Sequence, residues 1–191
     1  MTRDERVPIP IATGTAAGIV AWLVGYAVTL VVAPAVIRDV LGDLGVAVIG
    51  EVAADWELAG WVFYNAHGVD VPFPGAEFVA ADGNFVAATG GALTSLYLVP
   101  VGTLVLAGAA VAWRFRGAYR RRTDAAIAGA TVVVGYLLCT VLGLVIFAVS
   151  VEGVVLRPDP LVGVVLAGLA MPIAFGAVGG IAVSLLSPSE S

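Results

Sequence analysis

Four stretches of this chain, residues 10–37, 91–113, 125–149 and 161–186, contain no Asp, Glu, Lys, Arg or His. Each is at least about 20 residues long, enough for a helix to cross a hydrocarbon core of roughly 30 Å with some tilt. In lipid every backbone N–H and C=O must be paired inside the protein, which a helix does within itself. The expected fold is therefore all-α: a four-helix transmembrane bundle made of two helical hairpins, in one membrane domain over 1–191. Residues 38–90 are expected to be an acidic extracellular segment between helices one and two.

Composition points the same way. The chain is 60% hydrophobic and 12% charged, with a mean hydropathy of +1.03. A soluble domain carries roughly twice that charged fraction. All nine basic residues are Arg, and fourteen acids bring the net charge to −5 and the sequence pI to about 4.6. Such acidity argues against nucleic acid as a partner. The single cysteine, Cys139, has no internal disulfide partner and lies in an apolar run, so it reads as a small buried hydrophobe. Arg3 and Arg6 precede the first run as in a signal peptide. That run is too long for a signal core and ends in no clear small-residue cleavage site, so it reads as an uncleaved first span.

The loop Arg114-Phe115-Arg116-Gly117-Ala118-Tyr119-Arg120-Arg121-Arg122 holds five of the nine arginines. Arginines beside membrane spans stay on the cytoplasmic side. With Arg114, Arg116, Arg120, Arg121 and Arg122 inside, four spans place both termini inside as well, in the cell membrane. Seven arginines and four acids then fall inside, two arginines and ten acids outside, for net charges of +3 and −8. The loop reads as a topology determinant that also suits anionic lipid headgroups.

Within the spans, Pro10 suits a first helical turn and Gly14 and Gly18 form a small-xxx-small pattern. Pro34 is expected to kink or end the first helix, Pro100 and Pro172 interrupt the second and fourth, and Asp124 is expected to cap the third. Asp39, Asp43, Glu51 and Asp55 make a drifting polar stripe, which predicts an amphipathic helix near the membrane. Two Phe-Val-Ala-Ala tetrads, 78–81 and 85–88, flank Asp82-Gly83-Asn84 and predict a small hairpin; the alternative is that helix two starts early, near Asn84. A short turn is expected over 150–160. Val24-Gly25-Tyr26 and Val134-Gly135-Tyr136, with Pro100/Gly108 and Pro172/Gly180, hint that the two hairpins are duplicates.

The spans lack any ionisable group that could hold a proton at membrane depth, which speaks against a proton-coupled carrier. Hydroxyls at Thr29, Thr94, Ser95, Thr103, Thr131 and Thr140 could line a Na⁺ site, but such groups mostly bond back to their own helix. No phosphate loop, zinc motif or nucleophile–base arrangement is present, so no catalytic, cofactor or metal residue is assigned. His67, the only histidine, lies three residues before Asp70 and reads as half of an ordinary surface hydrogen bond. The segment Trp56-Glu57-Leu58-Ala59-Gly60-Trp61-Val62-Phe63-Tyr64-Asn65-Ala66-His67 reads as an aromatic interface anchor or a partner-binding surface, with Trp56, Trp61, Phe63, Tyr64 and His67 as its candidate contacts.

The Lys-free acidic composition, the four spans and the stretch Gly60–His67 together resemble small multi-pass membrane proteins of halophilic archaea. The resemblance covers most of the chain and implies no particular activity. The expected role is non-enzymatic: a scaffold or accessory subunit that presents residues 38–90 to another membrane or extracellular protein. The alternative is a small channel or permease, assembled from several copies that pack through the glycine-rich faces of helices one and four.

Overall fold

The computed structural model describes residues 9–43, 53–71, 83–89, 91–119, 121–151 and 153–186. Four segments are long and apolar enough to cross a membrane: Ile11–Ala33, Ser95–Arg114, Arg122–Ile146 and Pro160–Leu186, here spans one to four.

Span one opens α1 (Ile11–Asp43), which continues through Pro34 instead of ending there. A proline in a membrane helix removes one backbone bond, which the surrounding groups can make good. Asp39 and Asp43 therefore extend the first helix; the rest of the expected amphipathic helix, 44–52, lies outside the described residues. Next comes α2 (Asp55–Asn65). The hairpin expected around Asp82-Gly83-Asn84 is replaced by helix at its second tetrad, α3 (Phe85–Thr89). Asn84 Oδ1 accepts from Ala87 N at 3.1 Å, a side-chain cap that starts a helix where a strand was expected. Helix thus begins beside Asn84, as a separate short helix and not as the start of span two; tetrad 78–81 lies outside the described residues. A short α4 (Gly91–Thr94) and a 3-10 turn (Ser95–Tyr97) lead into α5 (Leu98–Arg114). Pro100 falls in the first turn of α5, where a helix loses least by a missing N–H.

Span three is α6 (Arg122–Ala130) and α7 (Val133–Ile146). Between them Thr131 N and Val132 N bond to carbonyls three residues back, and Thr131 Oγ1 donates to Ala128 O at 2.6 Å. That back-bonding tightens and bends the helix. Asp124 sits in the first turn of α6 and its Oδ2 accepts from Arg121 N at 3.0 Å. The turn over 150–160 contains a two-stranded hairpin, β1 (Val149–Val151) and β2 (Val154–Leu156), with Ser150 opposite Val155. Gly153 supplies its positive φ of 85°. Span four begins with α8 (Pro160–Val162), capped by Asp159 Oδ1, which accepts from Val162 N at 2.9 Å. It widens to a π-helix over Gly163–Ala170 before α9 (Met171–Leu186). Met171 N donates to Leu166 O five residues back. The widening ends just before Pro172, whose ring would otherwise crowd the carbonyl of Gly168.

Glycines let the spans meet backbone to backbone. Gly14 lies against Thr131 and Gly18 against Val132, so spans one and three run parallel. Gly129 meets Gly176 and Gly180 meets Ala125, so spans three and four run antiparallel, and Gly108 and Gly179 bring span two against span four. A Cβ on Gly108 or Gly129 would stand 2.2 or 2.1 Å from Gly176 O, so three helices converge on one carbonyl. These glycines of helices one and four pack against other spans of the same chain. The opposite surface is apolar, with Val31, Leu106, Val145 and Leu186 exposed, as lipid contact requires. Ile11, Arg114, Arg122 and Leu186 share one end of the bundle, the arginine end. Ala33, Ser95, Ile146 and Pro160 share the far end.

Candidate functional site

The segment 53–71 enters the bundle. Helix α2 opens with Glu57 Oε2 accepting from Ala54 N at 2.7 Å, and acids in a first turn suit the positive end of a helix dipole. Every residue from Leu58 to Asn65 is buried. A helix buried all round is a core element, not a surface one.

Three side-chain bonds fix α2 along span three. Trp61 Nε1 donates to Phe147 O at 2.8 Å. Tyr64 Oη donates to Thr140 O. His67 Nε2 pairs with Tyr136 Oη at 2.6 Å. The partners 147, 140 and 136 descend as 61, 64 and 67 rise, so α2 runs down span three from the far end. Tyr136 lies ten residues before the end of α7 at Ile146, about 15 Å at 1.5 Å per residue. His67 therefore sits inside the bundle, well below its far end. The chain then turns through Gly68, φ 73°, and returns to the far end, where Asp70 O accepts from Asp159 N at 2.9 Å.

Aromatic rings complete the seat. Phe63 meets Trp22 edge-on at 5.3 Å and His67 at 4.7 Å, while Trp22 stacks on Phe147 at 6.2 Å. Each such pair contributes roughly 0.5–1.5 kcal/mol beyond its buried area. From span one, Tyr26 Oη donates to Trp56 O at 2.9 Å. The two tyrosines of the repeated Val-Gly-Tyr tripeptides thus both bond to the inserted segment, one from each parallel span. Asn65 is satisfied through both ends of its amide. Its Nδ2 donates to Val69 O and Gly83 O at 2.9 and 3.0 Å, and its Oδ1 accepts from Phe85 N at 2.9 Å. It ties α2 to its own return and to α3.

The hydrogen bonds assign the state of His67. Nδ1 lies 2.7 Å from Phe63 O, which can only accept, so Nδ1 carries the proton. In the neutral ring Nε2 is then an acceptor, and Tyr136 Oη donates to it. Burial, the dominant effect, pushes the imidazole well below its usual range. Burial likewise raises the Tyr64 phenol. Thr140 Oγ1 is 1% exposed as a residue and meets no partner among the described residues.

Of the residues expected to contact a partner, Trp61, Phe63, Tyr64 and His67 are buried inside the bundle, and Trp56 alone is exposed, at 43%. A run of large aromatics with one polar tip per turn suits a core helix as well as an interface, and tertiary burial decided between them. The spans themselves lack ionisable groups, as read, but the connection supplies one at depth, so the bundle interior is not free of titratable nitrogen. His67 and Asp70 do not pair: His67 points inward and Asp70 Oδ1 lies 3.4 Å from Asn84 Nδ2. Tyr26, Asn65, Tyr136 and Phe147 belong to the site and were not singled out by their chemistry; the mid-span tyrosines were the available signal, since a buried phenol needs a partner. Thr29 and Thr103 do bond back to their own helix, at 3.0 and 3.2 Å. Among the described residues, no three His, Cys, Asp or Glu side chains come together in a way that could hold a metal.

At the arginine end, Arg114, Arg116, Arg121 and Arg122 are exposed. The Arg116 guanidinium stacks over Trp113 at 4.3 Å and Nη1 donates to Trp113 O at 3.2 Å. Arg120 lies outside the described residues.

A family model matches residues 1–187. The chain belongs to DUF7978, a family of unknown function. No curated protein and no solved structure matches it. Among the described residues of this DUF7978 chain, His67, just past the inserted helix, is the buried side chain that brings a titratable nitrogen into the apolar bundle.

Proposed function

We propose that this DUF7978 member is a non-catalytic component of the cell membrane, a scaffold or accessory subunit. Its arginine loop and both termini face the cytoplasm, and its far end faces a partner outside. The observation that carries the reading is the docking of α2, which sets Phe63 against span one, Trp61 and Tyr64 against span three and its cap, and Tyr64 beside Gly163 of span four. A bundle filled in this way favours a rigid part over a conduit. Trp56, left at the mouth of the bundle, together with the segment around α3, then forms the face for another membrane or extracellular protein. The acidic Lys-free composition fits a host adapted to salt.

Two measurements test it. Purified protein in liposomes should pass neither ions nor small neutral solutes, and a pull-down from native membranes should recover a partner that Trp56→Ala loses. Flux through the pure protein would replace this reading with the small channel or permease. Failure of the intact protein to retain any partner would remove the scaffold.

A further inference from the structure

Pinning α2 does not by itself require a titratable group, yet His67 is 3% exposed and its partner Tyr136 fully buried. Ionisable groups placed within a membrane are costly and tend to mark function. We propose that His67, Tyr136 and the Phe63 carbonyl form a proton-binding site inside the bundle, loaded from the aqueous phase at the far end, and that loading unseats α2.

The hydrogen-bond pattern gives the step. Phe63 O already takes the Nδ1 proton, so an incoming proton can bind only the lone pair of Nε2. An O–H bond of a hydronium ion breaks to release water, the Nε2–H bond forms with its proton, and the Tyr136 O–H···Nε2 hydrogen bond is lost. The Tyr136 oxygen can accept from the new Nε2–H, but its own proton then needs another acceptor in a place water does not reach.

Among the described residues the new charge also has no counter-ion. Among the described residues, the titratable group that meets the imidazole is Tyr136 on span three; Tyr64 on α2 and Cys139 on span three in turn act on Tyr136. Spans one, three and four carry no carboxylate between their first and last turns. Asp70, on the return, is held at the far end through Asp159 N and beside Asn84. A buried imidazolium without a partner is strongly disfavoured. Protonation and the seated position of α2 therefore oppose one another, and linkage makes either one drive the other. The depressed affinity of His67 for protons is the same coupling seen from the seated state. This site goes beyond the scaffold reading and stands whether or not a partner docks at Trp56.

The chain has one histidine, so imidazole signals in nanodiscs report this site alone. NMR of the ¹⁵N-labelled imidazole and hydrogen exchange over residues 55–71 would be followed together from pH 7.5 to 4. The expected result is a single imidazole titration with its midpoint below the usual value of about 6.5, and at least a tenfold loss of protection in α2 along the same curve. His67→Gln should keep its protection across that range. Three results would overturn the proposal: a midpoint at or above 6.5, an imidazole that charges without loss of protection, or the same loss in His67→Gln, which would assign it to carboxylates. Should His67→Gln fail to fold, the coincidence or separation of the two wild-type curves decides.

Discussion

Trp61 donates its indole N–H to the carbonyl of Phe147 across 86 residues, and Phe147 is the C-cap of α7. The last carbonyls of a helix have no partner within it. The inserted helix supplies one, so the end of span three and the seat of α2 form together.

Trp61→Phe keeps the ring and removes the donor, which leaves a buried carbonyl short of a bond and should cost about 1–3 kcal/mol. Trp61→Ala also opens a cavity at a residue 1% exposed and should cost about 3–5 kcal/mol. Trp56→Ala, at the exposed mouth, should stay within about 0.5 kcal/mol. Unfolding of the three variants in one detergent would rank them; an equal effect at 56 and 61 would mean that α2 is not inserted.

The protonation state of His67 gives stability a defined pH dependence. Burial holds the folded imidazole down to about 4, against about 6.5 in the unfolded chain. Between those values the unfolded chain binds the additional proton, so stability rises with pH. It should be complete above about 6.5, fall as the pH is lowered through that window and level off near 4, losing up to about 3 kcal/mol. Carboxylates titrate in the lower part of the window, so the quantity to compare is the difference between wild type and His67→Gln. A difference that stays constant with pH would mean that the imidazole is not buried neutral.

The four spans were legible because membrane depth forces long uncharged runs, and a sequence states such runs directly. The position of α2 was not. Trp61, Tyr64 and His67 carry polar tips that suit the membrane–water interface as well as the carbonyls of Phe147 and Thr140 and the phenol of Tyr136. Nothing within residues 56–67 says which partners are present; that depends on a pairing between segments more than 60 residues apart. Asp82-Gly83-Asn84 misled for a local reason: the side chain of Asn84 caps a helix as readily as it joins a turn. The glycines were visible as small-xxx-small patterns, but which spans they would meet was not, because that depends on which helices lie opposite.

Two glycines on span two separate close packing from helix propensity. A Cβ at Gly108 would stand 2.2 Å from the backbone oxygen of Gly176, which cannot move without span four. Gly108→Ala should therefore destabilise by about 1–3 kcal/mol. At Gly102 an added Cβ meets nothing within 4 Å. There the better helix propensity of alanine should make the change neutral or stabilising by up to about 1 kcal/mol. Thermal midpoints measured side by side check the contrast, and a stabilising Gly108→Ala would mean that spans two and four do not meet there.

Orientation can be read by labelling. In a Cys139→Ser background, Ala118→Cys lies in the arginine loop, where Ala118 is exposed. Arginine-flanked loops remain cytoplasmic, so an impermeant maleimide added to intact cells should leave this position unmodified until the membrane is opened. Trp56→Cys, at the far end, should react in intact cells. Trp61→Cys should resist in both conditions, because α2 holds that position inside the bundle. Replacing Arg114, Arg121 and Arg122 with Gln removes charge while keeping the Arg116 stack on Trp113. Part of the population should then invert, with Ala118→Cys reacting from outside. Reaction of Ala118→Cys in intact cells with all arginines present would reverse the topology and move the candidate partner face to the cytoplasm.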